Sequence, residues 1–151
     1  MSANVGLIRP PLVYSASIAL GLFIHWLWPA HLLSTSAGAA IGVPLVLLAT
    51  ALFVSAVRTF RKAGTPVPGS RPTTTIVRRG PYGFSRNPIY LAFTIFQVGV
   101  AAWANSVGVL LMLVPALALM SLVVIPREER YLAAQFPSDY LPYLREVRRW
   151  L

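Results

Sequence analysis

The 151-residue chain is 56% hydrophobic and 11% charged, lacks Cys, and carries thirteen Lys and Arg against four Asp and Glu. So small a charged share, less than half that of ordinary soluble domains, excludes a chain whose apolar residues are all buried in one water-soluble globule. The absence of thiols excludes disulfides, Cys nucleophiles and Cys-ligated metal.

The apolar residues fall in four blocks, Leu12 to Trp28, Ala37 to Val57, Ile89 to Trp103 and Val107 to Ile125, the third of them short. Runs of roughly 17 to 25 such residues cross hydrocarbon as helix, because lipid offers no partner to an exposed backbone group. The predicted fold is therefore all-α and polytopic, with about four transmembrane helices: two in residues 1–57, then a core in residues 58–151. A cleavable signal peptide is the other reading of the first block, since Arg9 precedes it and Ser36-Ala37-Gly38-Ala39 is small. Trp26 and Trp28, followed by Pro29, instead suit an aromatic anchor at the interface. Pro44 and Pro115 lie inside the second and fourth blocks and are expected to bend them. Ala104, Asn105 and Ser106 alone separate the last two blocks, so these form a tight antiparallel hairpin, and Gly99 and Ala102 suit close packing within the chain or between copies. His25 and His31 are expected to be interfacial packing residues, and no metal site is predicted.

Seven basic residues lie between Arg58 and Arg86, and five between Arg127 and Arg149. In a soluble chain a net charge of +9 would suggest nucleic acid. Here the clustering points to topology and to the anionic headgroups of the bilayer, so no nucleic-acid partner is expected. The positive-inside tendency puts both basic stretches, Arg9 and the two termini on the cytoplasmic side of an inner membrane; residues 29–36 and 104–106 carry no charge. Thr65-Pro66-Val67-Pro68-Gly69-Ser70-Arg71-Pro72 is an extended or turning loop, and the β-branched Thr73 to Val77 favours extended backbone. Pro126 suits the first turn of a new helix running to Gln135, with Glu128 and Glu129 at its positive end. Tyr140, Tyr143, Val147 and Trp150 recur every three or four residues, which predicts an amphipathic cytoplasmic helix over Asp139 to Trp150 that lies on the bilayer or caps the bundle.

Two polar clusters flank the hairpin, Gly80-Pro81-Tyr82-Gly83-Phe84-Ser85-Arg86-Asn87-Pro88-Ile89-Tyr90 before it and Arg127-Glu128-Glu129-Arg130 after it. An antiparallel hairpin brings its own ends together, so the clusters should share one site. Gly80, Pro81 and Gly83 allow sharp turns or a close approach of backbone to a ligand. Arg86 offers a planar fork for a carboxylate, Tyr82 and Tyr90 offer rings and hydroxyls, and the two Glu can accept from ribose hydroxyls or an ammonium. Together these suit an adenosyl amino acid. Taken singly, Arg86 also suits snorkelling to headgroups, and the acidic pair suits the helix dipole.

The ordered string Gly80-Pro81-Tyr82, Arg86-Asn87-Pro88-Ile89-Tyr90, a hairpin, Glu128-Glu129, Leu132, Phe136, Tyr140, Tyr143 and Val147-Arg148-Arg149-Trp150 resembles the C-terminal core of the isoprenylcysteine carboxyl methyltransferase family, which phospholipid methyltransferases share. The likeness covers residues 64–151, and Gly64-Thr65-Pro66 fits its bacterial branch. It implies an S-adenosylmethionine pocket lined by Val77, Gly80, Pro81, Tyr82, Arg86, Asn87, Pro88, Tyr90, Glu128 and Glu129, with Arg86 and Glu129 as catalytic residues and Arg86 orienting an acceptor carboxylate. Asn87 replaces the His of eukaryotic members, and Pro137 replaces a Gly that often follows the residue matching Phe136. Methyl transfer from a sulfonium needs alignment and exclusion of water more than it needs a covalent residue. The membrane setting suggests a lipophilic acceptor entering sideways past Phe93 and Phe96. A membrane reductase binding NADPH and a non-catalytic membrane scaffold are the rival readings.

Overall fold

The structure, a computed structural model, describes residues 9–67 and 72–151. Pro68, Gly69, Ser70 and Arg71 of the Pro-rich loop lie outside the described residues. The order is α1 (Pro10–Leu27), α2 (Thr35–Lys62), a 3-10 turn (Gly80–Gly83), α3 (Pro88–Trp103), α4 (Val107–Leu119), a π turn (Met120–Val124), α5 (Ile125–Gln135) and α6 (Pro137–Glu146). No strand occurs among the described residues. Three helices, Pro10–Leu27, Ser36–Lys62 and Val107–Gln135, are long and apolar enough to cross a membrane, and Pro88–Trp103 is a shorter apolar helix. The protein is thus an all-helical, polytopic membrane protein.

The hairpin of α3 and α4 is present, but the closest helix pairs are α2 with α3 and α1 with α4. Glycine decides both. A methyl group on Gly108 of α4 would lie 2.6 Å from the carbonyl oxygen of Gly21 in α1. One on Gly42 of α2 would lie 2.6 Å from that of Gly99 in α3. Gly99 therefore serves a contact inside the chain. With no water to compete, polar groups between these helices pair with each other. Ser17 donates to the Met112 carbonyl at 2.7 Å, while Gln97 donates to Ser17 at 2.7 Å and to the Val109 carbonyl at 3.1 Å. At this end of the bundle Asn105, in the left-handed region at φ 50°, accepts from the Leu32 and Leu33 amides at 2.8 Å each. The His25 and His31 rings meet edge to face nearby, 5.6 Å apart.

Three boundaries differ from expectation. α2 runs five residues past Val57 to Lys62, because a helix continues once its charges leave the hydrocarbon and Arg61 and Lys62 suit its negative end. Pro44 and Pro115 sit within helices that continue on both sides, whereas the helical hydrogen-bond pattern changes next to Pro126. The expected helix, α5, does start there with Pro126 in its first turn and runs to Gln135, but as a continuation of α4 and not as a separate segment. Pro126 lacks a donor and its ring crowds the carbonyl four residues back, and the preceding π turn, in which the Ile125 amide reaches the Met120 carbonyl, takes up that misfit without ending the helix. Finally, α6 stops at Glu146 and Val147 is extended at φ −117°, ψ 134°, so Val147 and Trp150 are not part of an amphipathic helix.

Candidate active site

α1 begins, α2 ends, α3 begins and the α4–α5 helix ends at one end of the bundle, and both basic stretches gather there. A cavity of about 820 Å³ opens among them, within the range of small-molecule sites. Val77, Tyr82, Arg86, Asn87, Pro88, Tyr90, Glu128 and Glu129 all line it. Gly80 and Pro81 do not. They shape the turn that aims Tyr82: Gly80 takes φ +59°, where a Cβ would also lie 3.0 Å from Thr59 Oγ1, and Pro81 is buried beneath.

The turn seats the Tyr82 ring at right angles to Phe60, centroids 4.7 Å apart. Tyr143 of α6 donates to the Tyr82 carbonyl at 2.8 Å, fixing the turn from above. The Tyr82 hydroxyl itself is buried without a protein partner. Burial holds the Tyr82 hydroxyl above the ordinary phenol range, with Tyr143 and Glu128 adding to the effect. Burial likewise raises Tyr143 and Tyr140, although Arg86 partly offsets both. All three hydroxyls are therefore neutral at physiological pH and serve as hydrogen-bonding groups, not as bases.

The two acidic residues, equivalent in the sequence, have different surroundings. Glu128 accepts from the Tyr90 hydroxyl at 2.6 Å through Oε1. Glu129 is held bidentately by Arg149, with Nε to Oε1 at 3.0 Å and Nη2 to Oε2 at 2.6 Å. Arg86 Nη1 stands 3.0 Å from the same Oε1 as an ion pair without hydrogen-bond alignment, and its buried Nε has no acceptor. The Arg86 and Glu129 side chains are only 10% and 15% exposed. An acceptor for ligand ammonium or hydroxyls is thus available at Glu128, while donors for a ligand carboxylate are available at Arg86 and Tyr82.

Arg149 arrives on the extended tail. The Arg86 amide donates to the Arg148 carbonyl at 3.0 Å, and Asn87 Nδ2 donates to the Arg149 carbonyl at 3.0 Å. Asn87 thus fastens the tail as well as lining the cavity. The sequence put neither Arg149 nor the lining residues Thr73, Thr75, Ile76, Tyr140 and Tyr143 in the site. The spacing of the two Tyr signalled an apolar face, but not what it faced.

The opposite wall is apolar. Pro10 and Pro11 of α1, Phe53 of α2 and Phe93 of α3 line it, with the Phe93 ring tilted against those of Tyr14 and Phe53, centroids 5.4 Å and 5.5 Å away. Phe96 does not line the cavity and is 36% exposed on the bundle surface.

Over 77 residues the chain is 36% identical to the cobalt-zinc-cadmium resistance protein CzcN of Cupriavidus metallidurans, a match covering 51% of this chain and 35% of that protein. It is also 36% identical over 72 residues to the nickel-cobalt-cadmium resistance protein NccN of Alcaligenes xylosoxydans xylosoxydans, covering 46% and 34%. The matches thus span about a third of the length of these curated relatives. No solved structure matches the chain. The model of the family described as phospholipid methyltransferase matches residues 37–139, which include the 3-10 turn, the hairpin and both acidic residues. With that match spanning more than half of its length, the chain belongs to the phospholipid methyltransferase family.

Proposed function

We propose that the protein is an S-adenosylmethionine-dependent methyltransferase of the inner membrane, of the bacterial isoprenylcysteine carboxyl methyltransferase-like branch, acting on a lipophilic or small acceptor such as a carboxylate. The observation that carries this reading is a cavity with unused polar groups at one wall and aromatic apolar groups at the other. Family membership supports methyl transfer, and the groups present fit the cofactor. Tyr82 Oη and Arg86 Nε are buried atoms in want of partners, and a native protein retains few such atoms without a ligand, water or strain to explain them.

In this reading Glu128 takes the ammonium or ribose hydroxyls, Arg86 takes a carboxylate, and the Tyr82 and Tyr90 rings flank the base. When bound, S-adenosylmethionine supplies an electrophilic methyl group on a sulfonium. The chain's own contribution is alignment: Arg86 orients a carboxylate, Phe53 and Phe93 position an apolar acceptor, and α6 covers the site against water. An acceptor that must lose a proton has the Glu128 carboxylate as the base within the cavity, since the neutral tyrosines hold their protons. Entry from the bilayer past Phe93 predicts that Phe93→Ala changes acceptor preference, while Phe96→Ala leaves it unchanged.

Thermal unfolding in detergent tests the reading without knowledge of the acceptor, because a ligand bound only by the folded state raises the midpoint. S-adenosylhomocysteine should raise it, and Arg86→Ala or Glu128→Gln should abolish the rise. A rise with NADPH alone would indicate a reductase, and no rise with either ligand would indicate a non-catalytic scaffold.

A further inference from the structure

Glu129 holds the clearest departure from what its sequence position suggests. It faces the cavity, yet Arg149 occupies both of its oxygens, and Arg149 comes from the last four residues of the chain. Those residues are fastened by backbone and side-chain bonds to residues 85–87, the start of the hairpin. Arg86, the second cation beside Glu129, consequently keeps an unpaired Nε and a poorly aligned Nη1.

One buried guanidinium, that of Arg86, one partly exposed guanidinium, that of Arg149, and one carboxylate admit two arrangements. In one, the arrangement observed, Arg149 holds both Glu129 oxygens and Arg86 meets Glu129 only through a poorly aligned Nη1, which leaves its Nε without an acceptor. In the other, Arg86 turns into Glu129 and its donors are consumed. A bidentate Arg–carboxylate pair is the stronger and more directional contact, so the tail determines which arrangement holds. We infer that Arg149 is a positioning residue: by holding both Glu129 oxygens it keeps Arg86 from turning fully into Glu129 and leaves its Nε edge open to bind the carboxylate of an amino-acid-bearing ligand in the cavity. The inference rests on the adenosyl-ligand reading above and assigns Glu129 to the clasp, not to the ligand.

The test is equilibrium binding of two probes to the full-length protein in detergent. S-adenosylhomocysteine carries the amino-acid end, and 5′-methylthioadenosine lacks it. Loss of a charge-assisted contact corresponds to roughly tenfold or more in affinity. Arg149→Gln should therefore weaken S-adenosylhomocysteine by about tenfold or more and leave methylthioadenosine nearly unchanged. The double variant Glu129→Gln/Arg149→Gln removes the carboxylate that captures Arg86 and should recover most of the lost affinity. Arg149→Lys, which keeps the charge without the fork, should fall between.

Equal weakening of both probes by Arg149→Gln, or a double variant no better than the single one, would mean that the tail only supports the fold and would overturn the inference. If Arg149→Gln does not fold, the Lys variant and the double variant carry the same comparison. Failure of the wild-type protein to bind either probe would overturn the adenosyl reading and this inference together. Binding of both probes with no selective effect of Arg149 would overturn the inference alone.

Discussion

Tyr82 separates a structural from a ligand-binding role at a single atom. Its ring is packed on Phe60, while its hydroxyl is buried and unpaired, and a buried polar group in that state costs about 1–3 kcal/mol. Tyr82→Phe should hold or raise the unfolding midpoint of the free protein and weaken S-adenosylhomocysteine severalfold; lower stability with unaltered binding would show that the hydroxyl serves the fold. Titration gives a second check. Tyr82, Tyr140 and Tyr143 all have folded-state pKa values raised by burial above the unfolded value. A group raised in this way contributes stability that is complete below its unfolded pKa, near 10 for Tyr, and is lost above it. The tyrosine contribution to stability should be flat from pH 7 to about 9 and fall above about 10, and Tyr82→Phe should flatten that fall. At this scale the sequence was informative about residue type and not about partners. Arg86, Glu128 and Glu129 were identifiable as one polar site because a hairpin joins its own ends. The division of labour between the two Glu was not, because it depends on Arg149, twenty residues beyond Glu129 in a tail without helical periodicity.

The helices were the most legible elements, since lipid demands long apolar runs and such runs are plain in the sequence. Their partners were less so. The three-residue connection implied that α3 pairs with α4, and it does, but the tighter contacts of each are with α2 and α1. Glycines make those contacts, and their positions on helix faces become meaningful only when both helices are in place. Gly108→Leu should therefore force α1 and α4 apart by a side chain where a backbone carbonyl now lies, and lower the unfolding midpoint of the detergent-solubilised protein. The same substitution at Gly83, whose added Cβ would meet its neighbour at an ordinary 3.6 Å, should be milder. Equal effects would remove close packing as the reason for Gly108. The π turn was illegible for another reason: Pro126 suits a helix start as well as a helix with a widened turn, and only the continuity of α4 into α5 decides between them. That continuity carries Glu128 and Glu129 on the extension of a membrane helix, so the site's acidic wall is anchored in the bundle.

At the scale of the molecule, charge and architecture converge. Both basic stretches reach the cavity end, and the opposite connections, residues 29–34 and 104–106, carry none of the 17 charged residues. A soluble protein would gain nothing from this polarity. In a bilayer, moving Lys and Arg across during insertion is disfavoured, so the end that holds them stays on the side of synthesis. On this ground we propose that cavity, α6 and tail face the cytoplasm, where a water-soluble charged cofactor is available, and that the Asn105 turn lies outside. Fusions to reporters that work on one side only test it. Green fluorescent protein after Leu151 should fluoresce, and alkaline phosphatase inserted at Asn105 should be active, whereas phosphatase after Leu151 should be inactive. The reverse pattern would place the cavity outside and remove the cytoplasmic cofactor from the argument, whatever the pocket binds in detergent. Neutralising Arg58, Arg61 and Lys62 together should weaken the bias without moving the site within the fold, because these residues end α2 and none of them lines the cavity.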